Sequence, residues 1–293
     1  MTHRRIPRAC HIADASFLVP PLSDPDYLPT VLDICRAEGV RLLVPTIDTE
    51  LELYASTKRD FTDMGATVGI SSPESVAIAH DKEATHSWLV SNGFPTVRQL
   101  ALVDFQQNLK ALPYPIVIKP RAGSMSNGVL TISSEGDLPT SFDPTVIIQT
   151  FAPGDEYTIS VLVDRSGRCV AAVPRLRLVT RGGEVSTGRT VRDSGLEDLA
   201  TRIAERLPGA YGPLNIQVIK DESTGQMNVI EINARFGGGD PLAWAAGADF
   251  PRWMIEELAD LPRTASNDWR DGVSMVRFDR AVYTIPGGDK FVG

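Results

Sequence analysis

The sequence is poor in cysteine and has no long apolar run. Its three cysteines, Cys10, Cys35 and Cys169, lie far apart without a Cys-x-x-Cys pair or a Cys/His cluster, so no metal cage is predicted. Apolar runs such as residues 169–173 and 242–246 are far shorter than the roughly 20 residues that cross a bilayer. The N-terminus also lacks the apolar segment of a secretion signal. We therefore expect reduced thiols, no membrane partner and a cytoplasmic location.

Motifs for several common chemistries are also absent. The sequence has no Gly-x-x-x-x-Gly-Lys-Ser/Thr string, no Gly-x-Gly-x-x-Gly after its first strands and no Gly-x-Ser-x-Gly elbow. These absences exclude a P-loop, a dinucleotide-binding turn and an esterase-type nucleophile. All four histidines, the last of them His86, lie in the N-terminal part, where surface or helix positions explain them better than zinc binding.

Charge and length narrow the class of protein further. With 293 residues, 42% of them hydrophobic, the chain can bury the core of an enzyme built from two or three subdomains. Its net charge of -8 opposes binding to a nucleic-acid backbone, so no nucleic-acid partner is predicted. Basic residues nevertheless gather in the middle of the chain, at Lys119, Arg121, Arg175, Arg177 and Arg181. This local excess of positive charge predicts an anionic ligand.

The first 75 residues alternate between helical and strand patterns. Helices are predicted over residues 26–38 and 49–61, and strands over 41–45 and 66–70, with Gly39 ending the first helix. This order is typical of a doubly wound parallel sheet, whose ligands bind at the carboxyl ends of the strands. Asp48 and Glu50 lie near such an end.

The remaining residues are rich in strand patterns. A helix over residues 72–91, begun by Pro73, links the two parts of the chain. Strands are predicted over 114–120, 129–132, 145–149, 156–163, 168–173, 214–220 and 227–232, with a helix over 193–207. Consecutive strands joined by short turns favour an antiparallel sheet, on which the helix packs one face.

Three oxygen-bearing side chains fall on the last two of these strands. Glu231 and Asn233 are two residues apart, so they share a face, and pairing of adjacent strands would bring Gln217 beside them. Such donors suit Mg²⁺, which takes its remaining ligands from water and nucleotide phosphates. Arg235, two residues further on, could reach the same phosphates. Glu231 and Asn233 alone could equally form a solvated sheet face; the following Arg235 and three glycines argue against that alternative.

A loop of small residues follows the strand that ends in Lys119. Residues 121–128 contain no β-branched or aromatic side chain, so their N–H groups could close over phosphate oxygens and exclude water. Taken alone, the segment could also be an ordinary hairpin connection.

Taken together in this order, the motifs resemble the ATP-grasp superfamily. The resemblance covers Lys82, residues 116–120, the small-residue loop, residues 149–156, Gln217 and residues 231–235. It is greatest to the branch of the carbamoyl phosphate synthetase large subunit, with biotin carboxylase and D-alanine–D-alanine ligase more distant. It implies an α/β (α+β) ATP-grasp fold with a shortened N-terminal parallel-sheet domain (1–75) and an ATP-grasp domain (76–293), comprising a small lid subdomain (112–152) and a C-terminal antiparallel-sheet subdomain (153–293).

The resemblance also implies roles for individual residues. Lys82 and Lys119 would contact the phosphates, and the loop with Ser124 and Ser126 would cover them. Gln149 and the backbone of Thr150, Phe151 and Ala152 would hold adenine, and Glu156 the ribose. Gln217, Glu231 and Asn233 would bind Mg²⁺, with Mn²⁺ as an alternative. Arg235 would stabilise the transferred phosphoryl group. Arg175 and Arg177 would contact phosphate or substrate, or form structural salt bridges.

The implied reaction joins a carboxylate to an amine at the expense of ATP. The carboxylate would attack the γ-phosphorus to give an acyl phosphate, which the amine then converts to an amide. Closure of residues 121–128, together with the glycine-containing stretch 181–188, would exclude water. Two alternatives stay open: a carboxyphosphate- or carbamate-forming enzyme, and a non-catalytic nucleotide-binding module suggested by the lack of a first strand-helix unit before residues 9–27. A homodimer is also left open.

Overall fold

The described part of the chain divides into two compact units. The computed structural model describes residue 10, residues 12–123 and 128–279, and the segments 282–284 and 290–292. The described residues of Met1–Arg41 and Arg277–Gly293 form one unit, and Leu42–Val276 form the other. The first unit contains helix α1 (Tyr27–Ala37), which ends before Gly39 at a φ of 62°, as predicted. It also contains an antiparallel strand pair, Val282–Thr284 with Lys290–Val292.

A small parallel sheet opens the larger unit. Strands β1 (Leu42–Leu43) and β2 (Thr67–Val68) pair in parallel, which confirms the predicted arrangement, although each strand is only two residues long. The predicted helix between them is divided into a 3₁₀ turn (Asp48–Glu50), α2 (Leu51–Ser56) and α3 (Lys58–Thr62). The interruption at Thr57, whose hydroxyl donates to the Leu53 carbonyl at 2.7 Å, separates α2 from α3.

Two helices replace the single one predicted over residues 72–91. They are α4 (Pro73–His80) and α5 (Lys82–Ser91). Asp81 separates them because its carboxylate caps α5, accepting from the N–H groups of Glu83 and Ala84. The cap places Lys82 at the first position of α5.

A four-stranded antiparallel sheet follows. Its elements are β3 (Gln99–Ala101), helix α6 (Leu102–Gln107), β4 (Ile116–Pro120), β5 (Leu130–Ile132) and β6 (Val146–Thr150), and the strand order is β3-β6-β4-β5. One face packs onto a core that includes Phe105, Ile116 and Ile148, all fully buried. The alternation of the β4 side chains leaves Lys119 on the other face.

The central sheet of the larger unit has six antiparallel strands. They are β7 (Asp155–Val163), β8 (Cys169–Arg181), β9 (Glu184–Thr190), β10 (Gly212–Lys220), β11 (Met227–Asn233) and β12 (Ser274–Val276), in the order β11-β10-β7-β8-β9-β12. Helices α7 (Ser194–Arg206), α8 (Asp240–Ala245) and α9 (Phe250–Leu258) complete the unit. Helix α7 buries Leu196, Leu199 and Ile203, which confirms its predicted apolar face. None of the described helices is both long and apolar enough to span a bilayer.

Two features of this sheet concern the predicted site: a bulge in β11 and the conformation of the stretch 181–188. Strand β11 contains one extra residue: Gln217 pairs with Glu231 and Val218 pairs with Val229, so Ile230 has no partner and forms a β-bulge. The stretch 181–188, predicted to close over the site, is mostly strand. Only Gly182 and Gly183, with φ angles of 59° and 78°, form its turn, because β8 and β9 pair along the rest of the stretch.

Candidate active site

A cavity of about 370 Å³ in the larger unit collects the predicted site residues. Its lining includes Lys82, Lys119, Gln149, Thr150, Phe151, Ala152, Glu156, Arg175, Arg177, Gln217, Glu231, Asn233 and Arg235. Ser124 and Ser126 lie outside the described residues. Every other predicted site residue therefore borders the same space, although the residues come from α5, both large sheets and the segment after β11.

The three predicted metal ligands lie side by side on the two neighbouring strands. Gln217 is the direct cross-strand partner of Glu231, and Asn233 follows Glu231 by two residues on the same face. In the described part of the chain, no cluster of three or more His, Cys, Asp or Glu side chains could hold a metal. One carboxylate and two amides form a weak cage by themselves. The set fits a hard cation such as Mg²⁺ that takes further oxygens from phosphates and water.

Two lysines lie next to this carboxylate. Lys119 is 93% buried, and burial lowers its pKa to about 8, although the nearby charge of Glu231 raises it. Its Nζ is 3.4 Å from the carbonyl oxygen of Ile230, the bulge residue. The Nζ of Lys82 donates to the Gly123 carbonyl at 2.7 Å and lies 3.9 Å from Glu231 Oε1. The charge of Glu156 also acts on Lys119, and both ammonium groups line the cavity, where they can contact an anionic ligand.

The same cavity contains the residues predicted to hold adenosine. The Glu156 carboxylate lies 3.1 Å from Arg177 Nε, and the second terminal nitrogen of Arg177 donates to the Gly183 carbonyl. Burial raises the pKa of Glu156, while Arg177 acts in the opposite direction. The Gln149 amide donates to Gln99 Oε1 at 2.7 Å. Of the two roles left open for Arg177, its contacts show the salt bridge.

Arg175 also forms a salt bridge, in the floor of the cavity. Its Nη2 donates to Asp240 Oδ1 at 2.9 Å and to Asn215 Oδ1 at 2.7 Å, and both charged side chains are at least 97% buried. Asp240 also accepts from Ser160 Oγ and from the N–H of Gly237. Arg175 therefore has a structural role, since this guanidinium ties the glycine-rich turn to the sheet, and its contact with phosphate or substrate stays a prediction.

The glycines of residues 237–239 permit this close packing. A Cβ at Gly239 would overlap Arg175 Nη1, and one at Gly238 would overlap Glu184 Oε2. The turn can approach both side chains because neither position carries a side chain of its own.

Arg235 has a carboxylate partner that the sequence did not predict. Its Nε and Nη2 donate to the two oxygens of Asp48 at 2.5 and 2.6 Å, and Nη1 donates to the Phe236 carbonyl at 3.1 Å. Burial lowers the pKa of Arg235, but the hydrogen bonds and charge of Asp48 outweigh it and raise that pKa overall. The guanidinium is thus held in one orientation at the edge of the cavity.

Sequence reasoning missed other residues of the site. Asn215 could have been identified, because it lies two residues before Gln217 and so shares its face. Asp240 follows the three glycines but carries no sign of its distant partner Arg175. Glu184 was missed because its glycine-containing stretch was predicted only to close over the site. It lines the cavity, and its charge acts on both Arg175 and Arg235.

Comparison with known proteins identifies the family. Residues 142–281 match the family model described as ATP-grasp in the biosynthetic pathway with Ter operon, and residues 3–69 match the PylC-like N-terminal domain. The D-alanine–D-alanine ligase of Ralstonia pickettii is 31% identical over 225 residues, which are 66% of this chain and 67% of that ligase. The ligase of Pseudomonas entomophila is 28% identical over 63% of this chain and 65% of its own length. The chain thus spans only part of each ligase.

Three further comparisons concern the branch and the fold. The carbamoyl phosphate synthase large chain of Methanothermobacter thermautotrophicus is 25% identical over 73% of this chain and 22% of its own. The biotin carboxylase domain of Hydrogenobacter thermophilus 2-oxoglutarate carboxylase superposes with a TM-score of 0.71 at 18% identity, covering 90% of this chain and 64% of that one. L-amino acid ligase from Bacillus licheniformis superposes with a TM-score of 0.63 at 17% identity, covering 88% of this chain and 66% of the ligase. The chain belongs to the ATP-grasp family, in the branch that resembles the carbamoyl phosphate synthase large chain.

Proposed function

We propose that this protein is an ATP-dependent ligase that joins a carboxylate to an amine through an acyl phosphate. The observation that carries the proposal is the convergence of Gln217, Glu231 and Asn233 with Lys82 and Lys119 in one cavity. Three oxygen donors for a hard cation beside two ammonium groups form a receptor for a magnesium-bound polyphosphate. The ligases among the relatives support the reaction type.

The adjacent cavity wall supplies the remaining contacts with the nucleotide. Gln149 and the backbone of residues 150–152 line the cavity and would hold adenine, and the Glu156 carboxylate would accept hydrogen bonds from ribose hydroxyls. Gln217, Glu231 and Asn233 would hold Mg²⁺, or Mn²⁺, which supplies charge neutralisation at the terminal phosphates when bound. Lys82 and Lys119, which lie near Glu231, would add positive charge at the same phosphates.

The chain's own residues then serve both half-reactions. In the first, a carboxylate oxygen forms a bond to the γ-phosphorus while the bond to the β–γ bridging oxygen breaks and ADP leaves. In the second, an amine nitrogen attacks the carbonyl carbon, phosphate leaves, and the nitrogen gives up a proton to form the amide. Arg235 borders the cavity beside Asn233, where it can stabilise negative charge in both steps.

A second candidate is a carboxyphosphate- or carbamate-forming enzyme. It is favoured by the match to the carbamoyl phosphate synthase large chain, which extends over 73% of this chain. The two candidates differ in the first acceptor of the phosphoryl group, which is bicarbonate or carbamate in one and an organic carboxylate in the other. A nucleotide-binding module without turnover is the third candidate.

Trapping with hydroxylamine separates these functions. The protein, MgATP and a panel of amino acids and other carboxylates are incubated with hydroxylamine, which converts an acyl phosphate to a hydroxamate, and ADP is measured in parallel. Hydroxamate and ADP formed in equal amounts with an organic carboxylate support the proposed ligase. ADP formed only with bicarbonate supports the second candidate, and nucleotide binding without ADP supports the third.

Matched variants show whether the cavity is responsible. Glu231→Gln removes the only carboxylate of the donor set, and Glu52→Gln makes the same change at an exposed position of α2. We expect Glu231→Gln to abolish the Mg²⁺-dependent part of nucleotide binding and the hydroxamate, while Glu52→Gln retains both. Full activity of Glu231→Gln would contradict the proposed site.

A further inference from the structure

The guanidinium of Arg235 is only partly used by its protein contacts. Of its five N–H groups, Asp48 accepts those on Nε and Nη2, and the Phe236 carbonyl accepts one on Nη1. Each terminal nitrogen keeps one further N–H. Among the residues that the structure describes, the one on Nη2 has only a long contact of 3.5 Å, to Asn233 Oδ1. The side edge of the fork, formed by Nε and Nη2, is therefore occupied, and one N–H on each terminal nitrogen is left to contact a second anion.

The two partners differ in their relation to the cavity. Arg235 belongs to its lining and Asp48 does not. Asp48 begins the 3₁₀ turn that follows the carboxyl end of β1, a short element with parallel pairing on β2. The carboxylate thus holds the guanidinium from the side away from the cavity, where it would not compete with a ligand inside it.

We propose that Asp48 is a positioning residue, which fixes Arg235 side-on so that its terminal edge forms the seat for the carboxylate of the acyl substrate. This inference rests on the proposed ligase function. A carboxylate bound end-on to Nη1 and Nη2 would lie beside Asn233. Its attacking oxygen would then lie next to the cation-binding residues, where the terminal phosphate is expected.

The opposite charges of Asp48 and Arg235 favour a role in orienting the guanidinium over a role in attracting the substrate carboxylate. Alone, Arg235 would offer any of its edges to an incoming anion, and its long side chain would sample several rotamers. With Asp48 on one edge, rotation about the last bonds breaks two charge-assisted hydrogen bonds, so the terminal edge stays directed toward the cavity. Asp48 also reduces the net positive charge. The substrate carboxylate is therefore attracted less strongly, but it meets a guanidinium that is held in one orientation.

A double-mutant cycle tests this role. Asp48→Asn, Arg235→Gln and the double variant are compared with wild type in kcat/KM for the carboxylate that gives the highest turnover in the hydroxylamine assay. We expect Asp48→Asn to lower kcat/KM about 10- to 100-fold, the size of effect that misplacement of a substrate by about 1 Å produces. The KM for MgATP should not change. In the Arg235→Gln background, Asp48→Asn should have no further effect.

Controls separate positioning from loss of folding. Asp60→Asn makes the same substitution at an exposed position of α3 and should leave every constant unchanged. Thermal unfolding and nucleotide affinity identify a variant that has failed to fold. Asp48→Glu keeps the charge and should recover part of the lost kcat/KM.

Three results would overturn the inference in distinguishable ways. Equal kcat/KM for wild type and Asp48→Asn, or equal losses from Asp48→Asn in both backgrounds, would reject positioning while leaving the ligase function intact. Parallel losses in the constants for ATP and carboxylate would assign Asp48 a purely structural role. Absence of turnover by the wild type over the whole panel would reject the ligase function, and the carboxylate seat with it.

Discussion

Replacing Lys119 by methionine should stabilise the ligand-free protein while it weakens nucleotide binding. Lys119 is 93% buried, and burial lowers the pKa of its ammonium group from 10.5 to about 8. Each tenfold change in an acid dissociation constant corresponds to about 1.4 kcal/mol, so this fall corresponds to a cost of about 3 kcal/mol for keeping the side chain charged in the folded state. Methionine retains the unbranched apolar stem without the charge.

The stabilisation should depend on pH in a defined direction. Below pH 8 Lys119 is protonated in both states, so the folded wild type bears the full cost of burial. Between pH 8 and 10.5 the folded state loses the proton while the unfolded state keeps it, so wild-type stability rises with pH. The advantage of Lys119→Met is therefore largest near pH 7 and shrinks as the pH rises toward 10.

Thermal unfolding of ligand-free protein at several pH values measures this advantage. For a unit of this size, each kcal/mol shifts Tm by about 2–4 °C. The pKa of about 8 already includes the attraction to Glu231, so we expect a gain of about 3 kcal/mol near pH 7. Lys110→Met, at an exposed position, supplies the matched control. A constant Tm difference from pH 7 to 10, or a less stable Lys119→Met at pH 7, would refute the reasoning.

Two further substitutions test the floor and the substrate end of the cavity. Asp240→Asn leaves the buried Arg175 without its charged partner, and we expect the free energy of unfolding to fall by about 3–5 kcal/mol in denaturant titrations. Asp198→Asn, which removes the exposed pair with Arg202, is the matched control and should change it little. An unchanged midpoint for Asp240→Asn would contradict a stabilising ion pair. Glu184 faces the cavity near Arg235 and is placed to attract the ammonium form of an amine. Glu184→Gln should therefore raise KM for the amine with little effect on KM for ATP, whereas equal increases in both would contradict this role.

The local chemistry of the site could be predicted from the sequence. Alternation along the strand predicts Glu231 and Asn233 on one face, and pairing with the preceding predicted strand brings Gln217 beside them. The structure pairs Gln217 with Glu231 directly. These relations follow from strand geometry and need no knowledge of distant contacts. For that reason they could be predicted from the sequence.

Partners from distant parts of the chain could not be predicted. The pairs Asp48–Arg235 and Arg175–Asp240 join residues separated by 187 and 65 positions, and no local pattern marks either of them. Strand β9 was missed for a different reason. Its glycines and polar residues resemble a loop, and it is the pairing with β8 and β12 that makes the segment a strand.

The bulge at Ile230 divides β11 into two segments whose registers are set separately. Toward the turn at residues 221–226, pairing resumes from Val229, while the inner segment carries Glu231 and Asn233. A change in the length of the turn can therefore be absorbed on the outer side, without rotating the cation-binding side chains away from the cavity. Deletion of Ile230 would remove that tolerance, so library designs that diversify the 221–226 turn have freedom in its length as long as this one residue is retained.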